Sequence, residues 1–217
     1  MNPEPRHSSV LGLLACSLGR RDDVPDQELA RDLVRTRDTA AVHELADNLW
    51  NKNQNVRSDC LKALYEISYA APDLIADHVA SFLKLLGDRN NRMVWGAMIA
   101  LAGVADLCAD DIWPYVDSVL HALQHGSVIT VVWGVRVLAK VAASSPERRM
   151  ALFPTLLRTM DTCLPRDVPT HAESILCAVD DSVKAQYLAA INNRVAELSP
   201  SQRSRLRRAL RRLNPGI

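Results

Sequence analysis

The chain has few aromatic residues and few glycines. Phe, Trp and Tyr make up 5% of its 217 residues, and only eight residues are glycine. Leu, Val, Ile and Ala must therefore supply most of the buried core. The sequence also lacks the GxSxG and HExxH motifs and any glycine-rich phosphate loop. No motif-defined catalytic centre is indicated.

Cysteine pairs and long apolar runs are absent as well. The five cysteines are scattered and none forms a CxxC pair, which is typical of reduced thiols in a cytosolic protein. No apolar stretch approaches the ~20 residues of a membrane-spanning helix. The stretch from Val10 to Leu18 is short, and Arg6 is the one fixed positive charge before it, a poor match to a signal peptide. We therefore predict a cytoplasmic protein with no membrane partner.

The net charge of +1 conceals an uneven distribution. From Arg194 to the end there are seven arginines and one acid, Glu197, whereas residues 1–193 carry 19 basic and 24 acidic side chains. A basic tail on an acidic body is suited to binding nucleic acid, or to lying against the body of another subunit.

Four segments repeat one apolar pattern at an interval of 37 residues. Apolar residues at i, i+3, i+4 and i+7 form one face of a first helix, and a second apolar helix pattern follows at the same interval. Recurrence at such a period is typical of stacked helical repeats. The first-helix positions are Val42, Leu45, Ala46, Leu49; Val79, Phe82, Leu83, Leu86; Val116, Val119, Leu120, Leu123; and Phe153, Leu156, Leu157, Met160. The second-helix pairs are Leu64 and Ile67, Leu101 and Val104, Leu138 and Val141, and Ile175 and Ala178.

The run from Asn55 to Ile67, NVRSDCLKALYEI, resembles the second helix of a HEAT repeat. Asp88 before Met93-Val94, with Ala100-Leu101 further along, is similar to the same element. The resemblance covers roughly residues 38–180. It implies an all-α, right-handed α–α superhelix of about four helix pairs in the HEAT (armadillo-type) family.

We divide the chain into three parts: 1–37 with an N-terminal tail and capping helices, 38–180 with the repeats, and 181–217 with C-terminal capping helices and the basic tail. Atypical terminal elements are expected because a solenoid must cover its end faces. No segment alternates with period two, so we predict no β-sheet. The terminal elements that we predict are a mobile segment at 1–7 and helices within 10–18, 27–35, 183–198 and 202–213.

Two tryptophans lie near the start of successive second helices, Trp95 and Trp133, each followed by a glycine. On a concave solenoid face they would anchor a protein or stack on bases. Alternatively they pack between repeats, with the glycine making room. Arg57, Arg136 and Lys140 lie among acidic residues, and such mixed charge favours a protein partner. We predict a non-enzymatic scaffold that binds another protein through its concave surface with these five residues.

The basic tail supports an alternative. From Arg203 to Leu213, three leucines form one helix face and six arginines occupy the rest. Arg203, Arg207, Arg208 and Arg211 would contact phosphates, or they would be the solvated face of a capping helix. The alternative function is therefore a nucleic-acid-binding helical-repeat protein. Its enzymatic form would resemble alkylpurine DNA glycosylases, with the two tryptophans and a nearby carboxylate as the only equivalents.

One helix carries a possible metal-binding pattern. Asp117, His121 and His125 are spaced by four residues, and two His at i, i+4 can share a metal ion. Further ligands are missing, and His125 near a helix C-terminus is also favourable for the helix dipole. We prefer a solvated face and predict no metal and no cofactor.

Overall fold

We describe the protein from a computed structural model, in which residues 9–211 and 213 are described. Those residues form helices and turns with no β-strand, as predicted. They belong to two compact units, Met1–Asp111 and Ile112–Ile217. The predicted mobile segment 1–7 lies outside the described residues. The α-helices are α1 Val24–Thr36, α2 Thr39–Asp47, α3 Gln54–Ser68, α4 Val79–Leu85, α5 Asn91–Val104, α6 Ala109–Ile112, α7 Val116–His125, α8 Val128–Ala143, α9 Pro146–Thr162, α10 Val168–Ile175, α11 Lys184–Arg194 and α12 Pro200–Leu210.

Unit 1 contains the first two predicted helix pairs. Helix α2 packs on α3, α4 packs on α5, and α3 also packs between α1 and α5. Helices α1, α3 and α5 therefore form a row, in which the N-terminal helix α1 lies beside the second helices α3 and α5. The first two apolar quartets, which begin at Val42 and Val79, are buried throughout. Burial of the repeating stripe supplies most of the stability of these pairs.

Unit 2 contains the other two pairs. Helix α7 packs on α8, and α9 packs on both α8 and α10. Helices α8, α10 and α12 are neighbours in turn, so the arginine-rich α12 continues the row of second helices. The third quartet is less buried than the others, since only Val119 of its four members is fully buried.

Polar residues in the predicted turns begin the longer helices. Each N-cap side chain accepts a hydrogen bond from a backbone N–H of the first turn, a group that the helix itself cannot satisfy. In α12 the Ser199 and Gln202 side chains form a reciprocal capping box. Side-chain caps of the same kind are made by Asp38, Asn53, Asn90, Ser127 and Ser145.

Two glycines allow α5 to approach α3 closely. A Cβ at Gly96 would lie 2.7 Å from Leu61 Cδ2, and a Cβ at Gly103 would lie 2.4 Å from Ser68 Cβ. The two positions are seven residues apart and share one face of α5. A larger residue at either position would force the helices apart.

The terminal predictions are confirmed in part. Helix α1 contains the predicted segment 27–35, and α11 and α12 correspond to the two predicted closing helices. A helix over 10–18 is wrong, because a 3₁₀ helix ends at Leu13 and turns follow. Two carboxylates bind successive backbone N–H groups there, Asp26 at Ala15 and Asp59 at Cys16, and so replace helical hydrogen bonds. The three-part division of the chain remains a prediction.

Candidate protein-binding surface

Unit 1 carries a cluster of three aromatic rings, from Tyr65 on α3, Tyr69 directly after α3 and Trp95 on α5, which we call the aromatic surface. The Tyr65 ring centroid lies 6.0 Å from that of Trp95 and 6.3 Å from that of Tyr69, both in tilted or edge-on geometry. Tyr65 is buried, Trp95 is half-buried and Tyr69 is exposed. Such pairing holds the Trp95 ring in place while leaving part of it open to solvent.

Charged groups border the aromatic surface. The Lys62 ammonium lies 4.8 Å above the Tyr65 ring, and it binds Glu66 at 2.6 Å and Asp23 at 3.3 Å. Arg92 also lies 3.7 Å from Asp23. Burial disfavours the Lys62 charge, but the bonds to Glu66 and Tyr65 outweigh it and raise the pKa of Lys62. Lys62 therefore stays charged within a mixed-sign border.

Arg57, the first predicted partner-binding residue, is half-buried and bonded within unit 1. Its Nε donates to the Leu49 carbonyl at 2.8 Å, and its Nη2 binds Asp88 Oδ2 at 2.5 Å. Leu49 ends the apolar quartet of the first pair, and Asp88 lies in the turn of the second. The guanidinium thus ties one helix pair to the next.

The other predicted residues lie on one face of α8 in unit 2. Trp133, Arg136 and Lys140 are all half-buried, and the Arg136 Cζ lies 4.4 Å from the Trp133 ring centroid. Ile129, one turn earlier, is exposed. These residues form a cation–π face with an apolar edge, which we call the Trp133 face. A platform formed jointly with Trp95 stays a prediction, since the two tryptophans belong to different units.

Some arginines of the predicted tail form hydrogen bonds within unit 2, and others are exposed to solvent. Arg203 Nε donates to the Leu198 carbonyl at 2.8 Å, and Arg205 binds Glu173 of α10 through Nε at 2.8 Å. Arg207, Arg208 and Arg211 are exposed. Leu206 is buried, so α12 packs through its leucine face as the pattern predicts. Arg212, also part of that run, lies outside the described residues.

The possible metal pattern on α7 does not assemble into a ligand set. The His121 and His125 rings lie 4.3 Å apart, and His125 Nδ1 is 3.0 Å from the His121 carbonyl oxygen. Across the described part of the chain, no group of three or more His, Cys, Asp or Glu residues is placed to hold a metal ion.

Tyr65 and Tyr69 are not among the site residues predicted from the sequence, whereas Lys62 is a possible polar residue of the concave surface there. The signal was present, since the two tyrosines are four residues apart on a second helix and Lys62 precedes Tyr65 by three. It was not recognised because the HEAT-like pattern of that helix was assigned to packing. The pairing of Tyr65 with Trp95 could not be found without knowing how α3 and α5 are aligned.

No model of a known protein family and no curated protein matches the sequence. Solved structures do match. An engineered protein is 20% identical with a TM-score of 0.64, over 96% of this chain and 98% of its own. A designed armadillo repeat protein in complex with peptide (KR)4 is 16% identical with a TM-score of 0.64, over 87% of each chain. Kap121p bound to Pho4p is 18% identical with a TM-score of 0.60, over 84% of this chain and 20% of that one.

The fold is that of armadillo and HEAT repeats. The all-α solenoid class predicted from the sequence is confirmed, with four helix pairs among the described residues. At these identities the likeness concerns the fold and leaves the function open. Separately, within residues 9–211 and 213, no helix has both the length and the apolar character needed to cross a membrane.

Proposed function

We propose that this protein is a non-enzymatic helical-repeat scaffold that binds another protein through its second helices. The contact surfaces are the aromatic surface of unit 1 and the Trp133 face of unit 2. The observation that carries the proposal is the half-buried Trp95 ring, held against Tyr65 within a mixed-charge border. A cytoplasmic location is part of the same proposal.

The side chains of these surfaces are better suited to a protein partner than to the phosphates of a nucleic acid. Tryptophan and tyrosine are common at the centres of protein interfaces, where a rigid ring fills a pocket at little entropic cost. The border of the aromatic surface pairs Lys62 and Arg92 with acids, so it offers no concentrated positive charge to a nucleic-acid backbone. Alternating signs instead suit the mixed side chains of a protein surface.

The structural neighbours support the same function by analogy. The designed armadillo repeat protein is described in complex with a peptide, and Kap121p is described bound to Pho4p. Binding of protein chains by helical repeats is thus compatible with this fold. Fold analogy alone does not identify a partner.

The test is partner capture with matched tryptophan variants. The full chain is immobilised, nuclease-treated cell lysate is passed over it, and retained proteins are identified by mass spectrometry. We expect Trp95→Ala or Trp133→Ala to lower retention of a defined partner on the order of tenfold, as for interface anchors. Trp50→Ala is the control, because Trp50 is also partly exposed but stacks under Lys84 on the first-helix side.

A second variant separates binding from folding. Tyr69 is exposed, so Tyr69→Ala should leave the thermal unfolding midpoint nearly unchanged while weakening capture. If neither Tyr69→Ala nor Trp95→Ala affects capture, the aromatic surface is not the binding site. If material is retained from untreated lysate but none is retained after nuclease treatment, the nucleic-acid alternative through Arg207, Arg208 and Arg211 replaces the proposal.

A further inference from the structure

A groove of about 430 Å³ lies in unit 1 between the 3₁₀ helix Val10–Leu13, α1 and α2. Its floor includes the buried Leu29 and Leu33, and two leucines on its rim, Leu13 and Leu18, are 54% and 53% exposed. Terminal elements of helical-repeat proteins usually present a polar outer surface, which keeps the protein soluble. Two half-exposed leucines beside an apolar groove therefore mark a surface that would be stabilised if another protein chain covered it.

The charged side chains that line the groove have one sign. Of the described residues that line it, four are carboxylates and none is basic. Asp38 accepts from the Ala41 N–H at 3.0 Å and Glu44 accepts from the Val10 N–H at 3.1 Å, so both serve the local fold. The remaining two are exposed and one helical turn apart on α1, Glu28 and Asp32.

Asp32 already forms an ion pair within the chain, with Arg35, but this pair is weak. Arg35 lies 3.2 Å from Asp32, and both side chains are about 70% exposed. An exposed pair of this kind contributes little and exchanges readily. Glu28 and Asp32 together therefore present two carboxylates, one turn apart, to a cationic helix.

The same chain carries a helix with matching charge. Arg203 and Arg205 of α12 are bonded within their own unit. Arg207 and Arg208 of α12, and Arg211 directly after it, are exposed. Arg207 and Arg211 are also one turn apart, the spacing of the two carboxylates on α1. The aliphatic part of an arginine side chain can cover apolar surface while its guanidinium binds a carboxylate. These arginines thus match both the charge and the apolar rim of the groove.

We propose that the groove of one copy of this chain docks α12 of a second copy. Glu28 and Asp32 bind the exposed arginines, and Leu13 and Leu18 pack against their methylene groups. The contact joins two different surfaces, so each added copy still offers a free groove or a free α12, and short linear assemblies form. Because the carboxylates and arginines are exposed, the association is weak and salt-sensitive.

Sedimentation velocity of the full chain over a concentration series, at low salt and at about 0.5 M salt, tests the proposal. We expect the weight-average sedimentation coefficient to rise with concentration at low salt and not at high salt. The triple variant Arg207→Glu, Arg208→Glu, Arg211→Glu should weaken self-association on the order of tenfold, and Glu28→Arg with Asp32→Arg should do the same. All five side chains are exposed, so the folds of the variants should be retained.

Charge reversal on both surfaces provides the decisive control. The chain with all five substitutions regains opposite charges across the contact, so its self-association should recover. Mixing the two single-surface variants should likewise restore assembly, with the two variants alternating, because each variant's α12 then matches the groove of the other and not its own. A wild-type chain that stays monomeric at low salt overturns the proposal, as does self-association that the two reversals leave unchanged.

A neutral variant separates docking from general charge attraction. Leu13→Ser with Leu18→Ser keeps every charge, and loss of association on the order of threefold or more supports contact with the rim. Unchanged association in this variant would overturn the groove as the docking site. If Arg158→Glu on the exposed surface of α9 weakens association as much as the α12 variant, nonspecific attraction explains the result and the proposal fails.

Discussion

The Arg57 guanidinium of α3 is bound to the Asp88 carboxylate, 31 residues later in the chain, in the turn before α5. In unit 2, Arg149 of α9 makes a tie of the same length within the fourth helix pair, because it binds Asp180 across 31 residues and donates to the Ala178 carbonyl at 2.9 Å, both just after α10. Neither tie lies in the apolar pattern that defines the repeat. The first tie holds two consecutive helix pairs in register, and the second holds the two helices of the fourth pair together.

Replacing Arg57 with leucine should lower the free energy of unfolding by about 2 kcal/mol. The substitution leaves Asp88 and the Leu49 carbonyl without their charged donor in a half-buried position. Urea unfolding followed by circular dichroism measures the change. Arg35→Leu is the matched control, since its ion pair with Asp32 is exposed and should contribute less than about 0.5 kcal/mol. Equal effects of the two substitutions would contradict this role for Arg57.

Gly103→Ala should destabilise unit 1 by about 1–3 kcal/mol, because the new methyl group would meet Ser68 Cβ at 2.4 Å. Gly12→Ala provides the control, since no atom lies within 4 Å of a Cβ built there. Thermal unfolding of both variants gives the comparison. Adding Ser68→Gly to Gly103→Ala removes the clash and should restore part of the lost stability. A Gly103→Ala chain as stable as the Gly12→Ala chain would exclude close packing at this position.

His171 should make the protein less stable in mild acid. It is buried on α10, its Nδ1 has no hydrogen-bond partner among the described residues, and burial lowers its pKa below the ordinary 6.5 despite nearby Asp167. The unfolded chain then binds more protons than the folded chain, so stability declines as the pH falls below 6.5, by up to about 1.4 kcal/mol per pH unit. His171→Leu should reduce this decline in urea titrations between pH 7 and pH 5.

The control for His171 is His125, which is exposed. His125→Gln should leave the free energy of unfolding at pH 7 within about 0.5 kcal/mol of wild type, as expected for an exposed position. The interpretation fails if the His171→Leu chain loses as much stability between pH 7 and pH 5 as the wild type.

Asp26 should have the opposite effect on the dependence of stability on pH. Burial raises its pKa to about 6, although the hydrogen bond from the Ala15 N–H opposes the shift. The folded chain therefore holds a proton that the unfolded chain releases near pH 3.8, and stability declines as the pH rises through 6. Asp26→Asn keeps an acceptor for Ala15 without the charge, and should be more stable than wild type by about 1–2 kcal/mol at pH 8.

The advantage of Asp26→Asn should shrink as the pH falls towards 4, where the wild-type carboxyl is protonated in the folded chain. Chemical unfolding at pH 8, 6 and 4 measures the difference between the two chains. An Asp26→Asn chain that is no more stable than wild type at pH 8 would show that the ionised carboxylate is well accommodated.

The repeat pattern predicted the helices because burial of an apolar stripe is a local property with a fixed period. Val42 and Val79 occupy equivalent buried positions 37 residues apart, so one helix pair indicates the next. The segment at Ala15 and Cys16 was mispredicted for the opposite reason. Its conformation is fixed by Asp26 and Asp59, which are 11 and 43 residues away along the chain.

The candidate site was predictable in composition but not in arrangement. The tryptophans stand out in a chain with so few aromatics, and Trp133 does lie with Arg136 on one helix face. Pairing of Trp95 with Tyr65 depends on how α3 and α5 are aligned, which the glycines at 96 and 103 help to set. The bonds of Arg57 were likewise not predictable from the sequence, since they require the fold to bring Leu49 and Asp88 together.

The ties from Arg57 to Asp88 and from Arg149 to Asp180 also bear on how the protein folds. Each closes a loop of about one repeat, and the entropy lost in closing a loop grows only with the logarithm of its length. The two ties thus form at nearly the same entropic cost, without waiting for distant segments of the chain to meet. A low contact order follows for both units, and with it fast folding that can start at any pair and spread to its neighbours.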